Sequence, residues 1–507
     1  MDPTTAPAGI RLGIVRGISY GMFGKPDPFV PQIRALGGSL VRVYVYWGQV
    51  EPEPGRYDWT VVDAVLDQLD PADEAWVTVC SSSPWATRNP SAFLPSSPAR
   101  DTAQYARFVS HLVTRCRGRI DYWQCNNEPS NTGLLWDGTA PEYVEQLAAF
   151  TRAVRDADPG ARIVLGGCGH DVLSSPPGSE ERAFFDHVVE HGRDAFDLFS
   201  VHLYGDPHDI PEHVESVRAM MRRHGYERPV VAGEYNGPTL FEFPEAQAVF
   251  QQEMMAAFMA PATGAQAEPP DRSTMRALYA REAELPDSLR MFLEDCPPEL
   301  AARRDRINCR QVVTRNVLAL AAGLTRTVCW NLAPEIPGYR DRLNMMGFLF
   351  GKLALLDYDG TELAVRHPSA DAFARLAGHL DSADGVRRLA AGERPDLYVF
   401  EVSRPGRGPL EVVWTAGDVF TGEDEPPTRI ERPWPHAEAH AVDAFGVAVP
   451  VERDGSLVRF PASVTPVFLS AGPTQPVDGP SGAARGLPTP AGTPHGSRRL
   501  RHAKIAR

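Results

Sequence analysis

The sequence lacks several features that mark membrane, disulfide-rich and nucleic-acid-binding proteins. Its 507 residues contain no run of about 18 uncharged apolar residues, so no segment is expected to span a bilayer. The seven cysteines are odd in number and include no close pairs, which argues against a disulfide framework and a thiolate zinc site. The formal net charge of −14 disfavours nucleic acid as the main partner, because phosphate binding needs a positive surface.

The two ends of the sequence show no pattern typical of a folded domain. Residues 1–9 lack the basic and apolar regions of a secretory signal, so the expected location is the cytoplasm. Residues 472–507 are rich in proline, glycine, serine and threonine and end in a basic cluster. This composition is typical of a solvated tail, and contact with an acidic partner is the alternative. The oligomeric state is not indicated by the sequence.

Between residues 10 and 383, short apolar runs alternate with longer amphipathic segments, which predicts βα units around a parallel sheet. The strand candidates are Gly13–Arg16, Leu40–Tyr46, Ala75–Cys80, Tyr122–Cys125, Arg162–Gly166, Leu198–Leu203, Pro229–Ala232 and Arg326–Trp330. The helix candidates are Pro31–Leu36, Thr60–Gln68, Asp101–Arg115, Pro141–Asp156, Glu181–Glu190, Ile210–His224, Asp305–Leu320 and Ser369–His379. This number of units favours an α/β fold of the (β/α)8 barrel type. A doubly wound open sheet is the alternative, because periodicity does not report closure.

Two further regions depart from the regular alternation. The interval between the last two strand candidates is far longer than an ordinary connection, which predicts an insertion at about residues 237–300. A lid over the carboxyl ends of the strands and a helical excursion on the outside are both compatible with it. After residue 383, short strand candidates separated by glycine, proline and aspartate predict a small β-sandwich-like domain at residues 384–471.

The candidate catalytic residues are sought at the ends of the predicted strands, because the catalytic side chains of a barrel lie at the carboxyl ends of its strands. Glu128 and Glu234 directly follow apolar strand candidates and are framed by tryptophan and tyrosine. A pair of carboxyl groups is what cleavage of a glycosidic bond requires, with one as acid and the other as nucleophile. The candidate substrate-binding residues at the strand ends are Arg42, Trp47, Trp85, Asn127, His202, Tyr204, Asn236 and Trp330.

These motifs resemble a known group of enzymes. Asn127-Glu128-Pro129 after the fourth strand and Gly233-Glu234 after the seventh are similar to the clan A retaining glycoside hydrolases, whose catalytic glutamates follow those two strands. The segment from Gly13 to Trp59 is similar to the strand-two region of families 39, 42 and 5, and family 39 is the most similar. The resemblance covers about residues 10 to 380, and the trailing β-domain also resembles one in family 39.

The resemblance implies a role for each matching residue. Glu128 would be the acid/base and Glu234 the nucleophile of a retaining enzyme that cleaves a β-linked glycoside or oligosaccharide. Asn127 would bind the 2-hydroxyl of the sugar, and Trp330 would lie beneath the sugar ring in its subsite. Arg42 and Tyr204 would keep Glu234 ionised. No cofactor or metal is implied. The third strand ends in Ser83-Pro84-Trp85 where family 5 commonly has histidine, so the substrate rules of family 5 are not carried over.

Two alternatives to a hydrolase stay open at this point: a transglycosylase and a carbohydrate-binding barrel without catalysis. Two other motifs, typical of a metal site and of an esterase, have weaker support from the sequence. His187 and His191 form an H-x-x-E-H pattern, but the helix that carries them is expected to face outward. The G-x-S-x-G pattern at residues 17–21 is followed by glycine and proline instead of a helix, which disfavours an esterase.

Overall fold

A computed structural model describes residues 8–259, 269–334, 336–392 and 394–472. Within these residues, eight parallel strands close into a barrel in sequential order, with the first strand paired to the eighth. The strands are β1 (Arg11–Val15), β2 (Leu40–Tyr46), β3 (Glu74–Cys80), β4 (Tyr122–Cys125), β5 (Arg162–Cys168), β6 (Leu198–Leu203), β7 (Val230–Tyr235) and β8 (Arg326–Cys329). The predicted barrel is therefore confirmed, and the open sheet is excluded.

The strands form where the sequence is apolar on both faces, and β2 illustrates why. All seven of its residues are buried. Val41 and its alternate neighbours pack outward against the helices, whereas Leu40, Tyr44 and Tyr46 belong to the cluster inside the barrel. Because side chains alternate across a strand, Arg42 also points inward. The inner face of β2 thus delivers one cation and two tyrosines to the barrel interior.

Helices surround the barrel and begin at recognisable signals. Asp101 caps one helix by accepting hydrogen bonds from two backbone N–H groups, and Thr139 with Glu142 forms a capping box at the next. The helices are α1 (Val30–Ala35), α2 (Trp47–Val50), α3 (Thr60–Leu66), α4 (Thr102–Cys116), α5 (Ala140–Ala157), α6 (His170–Ser174), α7 (Glu180–His191), α8 (Ile210–Arg222), α9 (Pro244–Met259), α10 (Pro270–Ala280), α11 (Asp287–Arg290), α12 (Pro298–Ala321), α13 (Met345–Phe350) and α14 (Pro368–Leu380). None of the helices in the described part of the chain has the length and apolar character that a membrane crossing requires.

The region of the predicted insertion contains α9, α10, α11 and the start of α12. Its side chains build a separate apolar core that includes Phe243, Phe250, Met275 and Phe292. Phe348 of α13 joins this core by stacking on Phe250, with ring centroids 5.5 Å apart. The insertion is therefore packed against the segment that follows β8. The proline-, glycine- and alanine-rich stretch of residues 260–268 lies outside the described residues, and a lid function stays a prediction.

The chain after β8 forms antiparallel strands, which are β9 (Leu356–Asp359), β10 (Glu362–Arg366), β11 (Gly385–Arg388), β12 (Leu397–Ser403), β13 (Leu410–Thr415), β14 (Thr428–Pro433), β15 (His440–Asp443), β16 (Glu452–Asp454), β17 (Leu457–Ala462) and β18 (Val467–Ser470). Strands β9 and β10 pair as a hairpin. A five-stranded sheet (β11-β12-β13-β18-β15) and a three-stranded sheet (β14-β17-β16) follow. Val399 and Val413 share an apolar cluster with Val458 and Phe460 of the smaller sheet, as in a sandwich. The predicted residue boundaries of the domains stay predictions, and residues 473–507 lie outside the described part of the chain.

Candidate active site

Two carboxylates converge at the carboxyl ends of the barrel strands. Glu128 follows β4, and Glu234 lies near the end of β7. A register shift between β6 and β7 sets His202 opposite Glu234. His202 Nδ1 is 2.5 Å from Glu128 Oε1 and 3.4 Å from Glu234 Oε2. One oxygen of each carboxylate and a nitrogen of the imidazole all lie within 4.8 Å of one another. The sequence placed the two acids on separate strands, and the fold brings them to one point.

The surroundings of Glu234 hold its carboxyl group ionised. Oε1 accepts hydrogen bonds from Arg42 at 3.0 Å and from the Tyr44 hydroxyl at 2.8 Å, and Oε2 accepts one from the Tyr204 hydroxyl at 2.9 Å. Burial raises the pKa of Glu234. The facing charges of His202 and Arg42 and the two tyrosine hydroxyls lower it by more, so the pKa lies below its ordinary value. Glu234 is therefore a buried anion at neutral pH.

Arg42 connects the two acidic strand ends. Its fully buried guanidinium donates to Asn127 Oδ1 at 2.8 Å and to the backbone oxygen of Gly233 at 2.7 Å, besides its bond to Glu234. It also lies 5.0 Å from the ring centre of Trp76. Because the oxygen of the Asn127 amide is occupied by Arg42, its nitrogen is the group that a ligand would meet. This arrangement fixes the orientation of the amide beside Glu128.

The turn that carries Glu128 has an unfavourable backbone conformation. Asn126 and Glu128 have φ angles of 56° and 38°, in the left-handed region that residues with a Cβ rarely adopt. Such conformations cost about 1–3 kcal/mol each and persist only where the surroundings enforce them. Here Asn126 Oδ1 accepts a hydrogen bond from the backbone N–H of Ser81 at 2.8 Å, which ties the turn to the end of β3.

Gly167 of β5 sets the position of His202. The imidazole is fully buried, and its Nε2 has no hydrogen-bond partner among the described residues. A Cβ atom on Gly167 would lie 2.0 Å from that nitrogen, so the ring rests directly on the glycine. The opposite ring nitrogen, Nδ1, is thereby directed at Glu128 and Glu234. A glycine on the neighbouring strand is what makes room for the histidine.

Replacing Gly167 by alanine is therefore expected to displace His202 and lower kcat/KM by about 10²-fold, because a misplacement of about 1 Å has an effect of that size. The measurement is steady-state kinetics on a nitrophenyl glycoside, the substrate class that the sequence resemblance implies, with circular dichroism to confirm folding. Gly385→Ala is the matched control, since a Cβ at Gly385 meets nothing within 4 Å. Equal kcat/KM for Gly167→Ala and the unaltered protein would contradict this role.

The structure corrects two of the predicted substrate contacts. Trp47 has no exposed surface, because its indole faces α4 and stacks on Phe108 with centroids 5.4 Å apart. Trp85 packs on Trp47 and donates a hydrogen bond to the backbone oxygen of Glu51 at 2.9 Å, but it is partly exposed, so its contact with substrate stays a prediction. Asn236 is also fully buried. Its amide nitrogen donates to the backbone oxygen of Trp330 after β8, and its amide oxygen accepts from the backbone N–H of Gly237 after β7. Trp47 and Asn236 have no surface that a substrate could reach, and we assign no substrate contact to them.

The other predicted residues surround the carboxylates, and two aromatic residues that were not predicted join them. Trp330 lies beside Tyr44, with ring centroids 6.4 Å apart, and its Nε1 has no partner among the described residues. Tyr44 was missed, although it follows Arg42 by two positions and so shares its face of β2. Phe350 of α13 lies 6.3 Å from the ring of Tyr204. Nothing in the sequence pattern near Phe350 pointed to the site.

Glu128, His202 and Glu234 are also a set of ligands that zinc accepts. Among the described residues they form the one group of at least three such side chains whose ligand atoms lie close together. The positively charged guanidinium of Arg42 lies beside Glu234 Oε1, and two tyrosine hydroxyls donate hydrogen bonds to the same carboxylate. Because these donors already occupy the oxygens of Glu234, they compete with a metal ion for this carboxylate. The absence of a metal requirement stays a prediction, and activity after treatment with a chelator tests it.

The competing motifs acquire no further support in the described residues. His187 and His191 lie on α7 with ring centroids 4.3 Å apart, and no third metal ligand joins them in the part of the chain that the structure describes. The residues after Ser19 form turns, so the strand-to-helix elbow of an esterase is not present there.

Comparison with known proteins supports the fold. No family model matches the sequence, and no curated protein matches it. Among solved structures, a family 39 glycoside hydrolase from the gut symbiont Bacteroides cellulosilyticus WH2 is similar, with a TM-score of 0.58 and 14% identity over 91% of this chain and 81% of that chain.

Two further solved structures are similar at this level. A glucosidase from Croceicoccus marinus has a TM-score of 0.54 and 15% identity, over 92% of this chain and 97% of that one. A monomeric β-xylosidase from Caulobacter crescentus CB15 has a TM-score of 0.53 and 13% identity, also over 92% and 97%. The chain thus has the barrel fold of the clan A glycoside hydrolases, and family 39 structures are among those that it resembles.

Proposed function

We propose that the protein is a retaining glycoside hydrolase with Glu234 as nucleophile and Glu128 as acid/base. The observation that carries this proposal is the convergence of the two carboxylates around His202, one of them held ionised by Arg42 and two tyrosines. Retaining enzymes need two carboxyl groups about 5–5.5 Å apart, one charged and one carrying a proton. The similar solved structures include a glucosidase and a β-xylosidase, which agrees with this chemistry.

The reaction proceeds in two displacements. In the first, the Glu234 carboxylate attacks the anomeric carbon while the bond to the leaving oxygen breaks, and Glu128 gives its proton to that oxygen. In the second, Glu128 takes a proton from water, the water oxygen attacks the same carbon, and the Glu234 carboxylate is released. Each inversion cancels the other, so the anomeric configuration is retained. Asn127 would bind the 2-hydroxyl of the sugar, and the indole of Trp330 would lie beneath the sugar ring.

We propose a β-linked glycoside or small oligosaccharide as the substrate and the cytoplasm as the location. Water and a second sugar compete for the same intermediate, so a transglycosylase uses the same residues. A binding protein without catalysis is the candidate from another class. Labelling with a 2-deoxy-2-fluoro glycoside separates it from the enzymes, because only an enzyme forms a covalent sugar ester on Glu234. Mass spectrometry of the labelled peptide provides the measurement, and an unlabelled protein would refute the proposed function.

The pH dependence tests the ionisation of Glu234. Activity is lost as pH falls through the pKa of the nucleophile, and the hydrogen bond from Tyr44 lowers that pKa. Tyr44→Phe removes this bond, so we expect the acid limb of the kcat/KM profile to move to higher pH. Tyr122→Phe is the matched control, because the Tyr122 hydroxyl bonds Glu74 at 2.9 Å at the opposite end of the barrel. An unmoved acid limb in Tyr44→Phe would argue against Glu234 as the ionised nucleophile.

A further inference from the structure

Two aromatic rings meet at the rim of the barrel above the ends of β5, β6 and β7. Phe241, in the segment that follows β7, stacks on His170, the first residue of α6, with ring centroids 5.6 Å apart and planes inclined by 23°. His170 in turn rests on Gly205 beyond β6, where a Cβ atom would lie 2.3 Å from the imidazole Cε1. The pair therefore links three strand ends by direct contact.

Phe241 is exposed, but the chain beside it is fixed. The residue is 37% exposed, whereas the side chain of the next residue, Glu242, has no exposed surface. Glu242 forms an ion pair with Arg315 at 2.9 Å and accepts a hydrogen bond from the backbone N–H of Thr239 at 2.8 Å. Arg315 also donates to the backbone oxygen of Leu203 at 2.9 Å, next to the active-site end of β6. The exposed ring of Phe241 therefore projects from a chain segment that an ion pair and hydrogen bonds hold in place, as a preorganised binding site requires.

This aromatic platform of Phe241 and His170 adjoins the proposed acid/base. Gly169, the residue before His170, lies against Glu128, and a Cβ atom there would be 3.7 Å from Glu128 Cδ. Because Glu128 gives its proton to the leaving oxygen, the atoms bonded to that oxygen depart along its side of the cleft. Gly169, which contacts Glu128, and His170, the next residue of the chain, lie on that side.

We propose that Phe241 and His170 form the leaving-group subsite and that this subsite selects a leaving group that contains a ring, either aryl or sugar. The inference rests on the proposed function and adds to it the class of leaving group. Aryl rings and the C–H faces of sugars both pack on aromatic side chains, whereas a methoxy group has no face to present. Phe241 comes from the segment that opens the insertion, which gives this part of the chain a role in substrate selection.

Two mechanism-based reagents test the subsite independently of the nucleophile. A fluorosugar fluoride loses a single atom, whereas the dinitrophenyl fluoroglycoside of the same sugar loses a ring. Phe241→Ala is expected to slow inactivation by the dinitrophenyl reagent by about 3- to 10-fold, the range of one aromatic contact, and to leave the fluoride reagent unaffected. Phe241→Tyr is expected to restore the rate.

The controls separate the two proposals. Phe23→Ala removes another exposed aromatic ring, 50% exposed after β1, and should leave the ratio of the two inactivation rates unchanged. Equal rates for Phe241→Ala and the unaltered protein with both reagents, or equal slowing with both, would overturn the subsite while the proposed function stands. Failure of both reagents to label the unaltered protein would overturn the proposed function and the subsite together.

Steady-state kinetics then distinguish the two kinds of ring. A fall of kcat/KM in Phe241→Ala for nitrophenyl glycosides alone assigns the subsite to aromatic leaving groups. A fall for disaccharides alone assigns it to sugars, and a fall for both supports any ring with an apolar face. An equal fall for the methyl glycoside would contradict selection for a ring.

Discussion

Replacing Glu234 by glutamine is expected to lower kcat on the order of 10⁵-fold, comparable to the loss of a catalytic nucleophile in other covalent mechanisms. The amide has the same shape but no charge with which to attack the anomeric carbon. It also places an NH₂ group opposite donors, because both oxygens of Glu234 accept hydrogen bonds from Arg42 or a tyrosine. The measurement is release of nitrophenol, with thermal unfolding to compare stability.

Glu74→Gln serves as the matched control for this variant. Glu74 is a carboxylate at the opposite end of the same barrel, and it also bonds an arginine and a tyrosine: Arg326 at 2.7 Å and Tyr122 at 2.9 Å. Its replacement should affect stability more than turnover. Activity of Glu234→Gln within tenfold of the unaltered protein would remove Glu234 from the mechanism.

Replacing Glu128 by alanine is expected to separate the two steps of the reaction. Substrates with poor leaving groups need its proton, so their kcat/KM should fall by about 10³-fold, within the range of acid–base catalysis. A dinitrophenolate departs without a proton, so the glycosyl-enzyme still forms from that substrate and accumulates. Azide needs no base to attack it and should restore turnover, giving a glycosyl azide of retained configuration that NMR identifies.

Azide with Glu234→Ala provides the reciprocal control. There the anion occupies the place of the nucleophile and attacks the substrate directly, so the glycosyl azide should have inverted configuration. The two products assign the two glutamates independently of rates. An inverted product from Glu128→Ala, or a retained one from Glu234→Ala, would exchange the proposed roles.

The barrel could be predicted because its strands are buried on both faces and therefore appear as unbroken apolar runs. Leu40–Tyr46, Tyr122–Cys125 and Leu198–Leu203 have the bounds that the sequence indicated. Strands with little apolar character give no such signal, as Glu452–Asp454 shows, because its three residues are all exposed. Closure of the sheet rests on pairing between β1 and β8, which no local pattern can report.

The two acids of the candidate site were also accessible from the sequence, since position at a strand end determines which end of a barrel a side chain occupies. Position alone does not determine the side of the barrel wall. Trp47 opens a short helix and turns outward, and Asn236 turns into the backbone between two strands, so both were misassigned. The support of His202 by Gly167 depends on contact between neighbouring strands, and packing of this kind leaves no periodic signal.

The left-handed backbone conformation of Asn126 and Glu128 lowers the free energy of unfolding, and interactions elsewhere in the protein must offset this loss. Natural domains have only about 5–15 kcal/mol of net stability, so about 1–3 kcal/mol at each of these two positions is a sizeable share. Selection for stability alone would place glycine at residue 128. With glutamate at residue 128, the fold gives up part of its net stability to hold a carboxyl group beside His202.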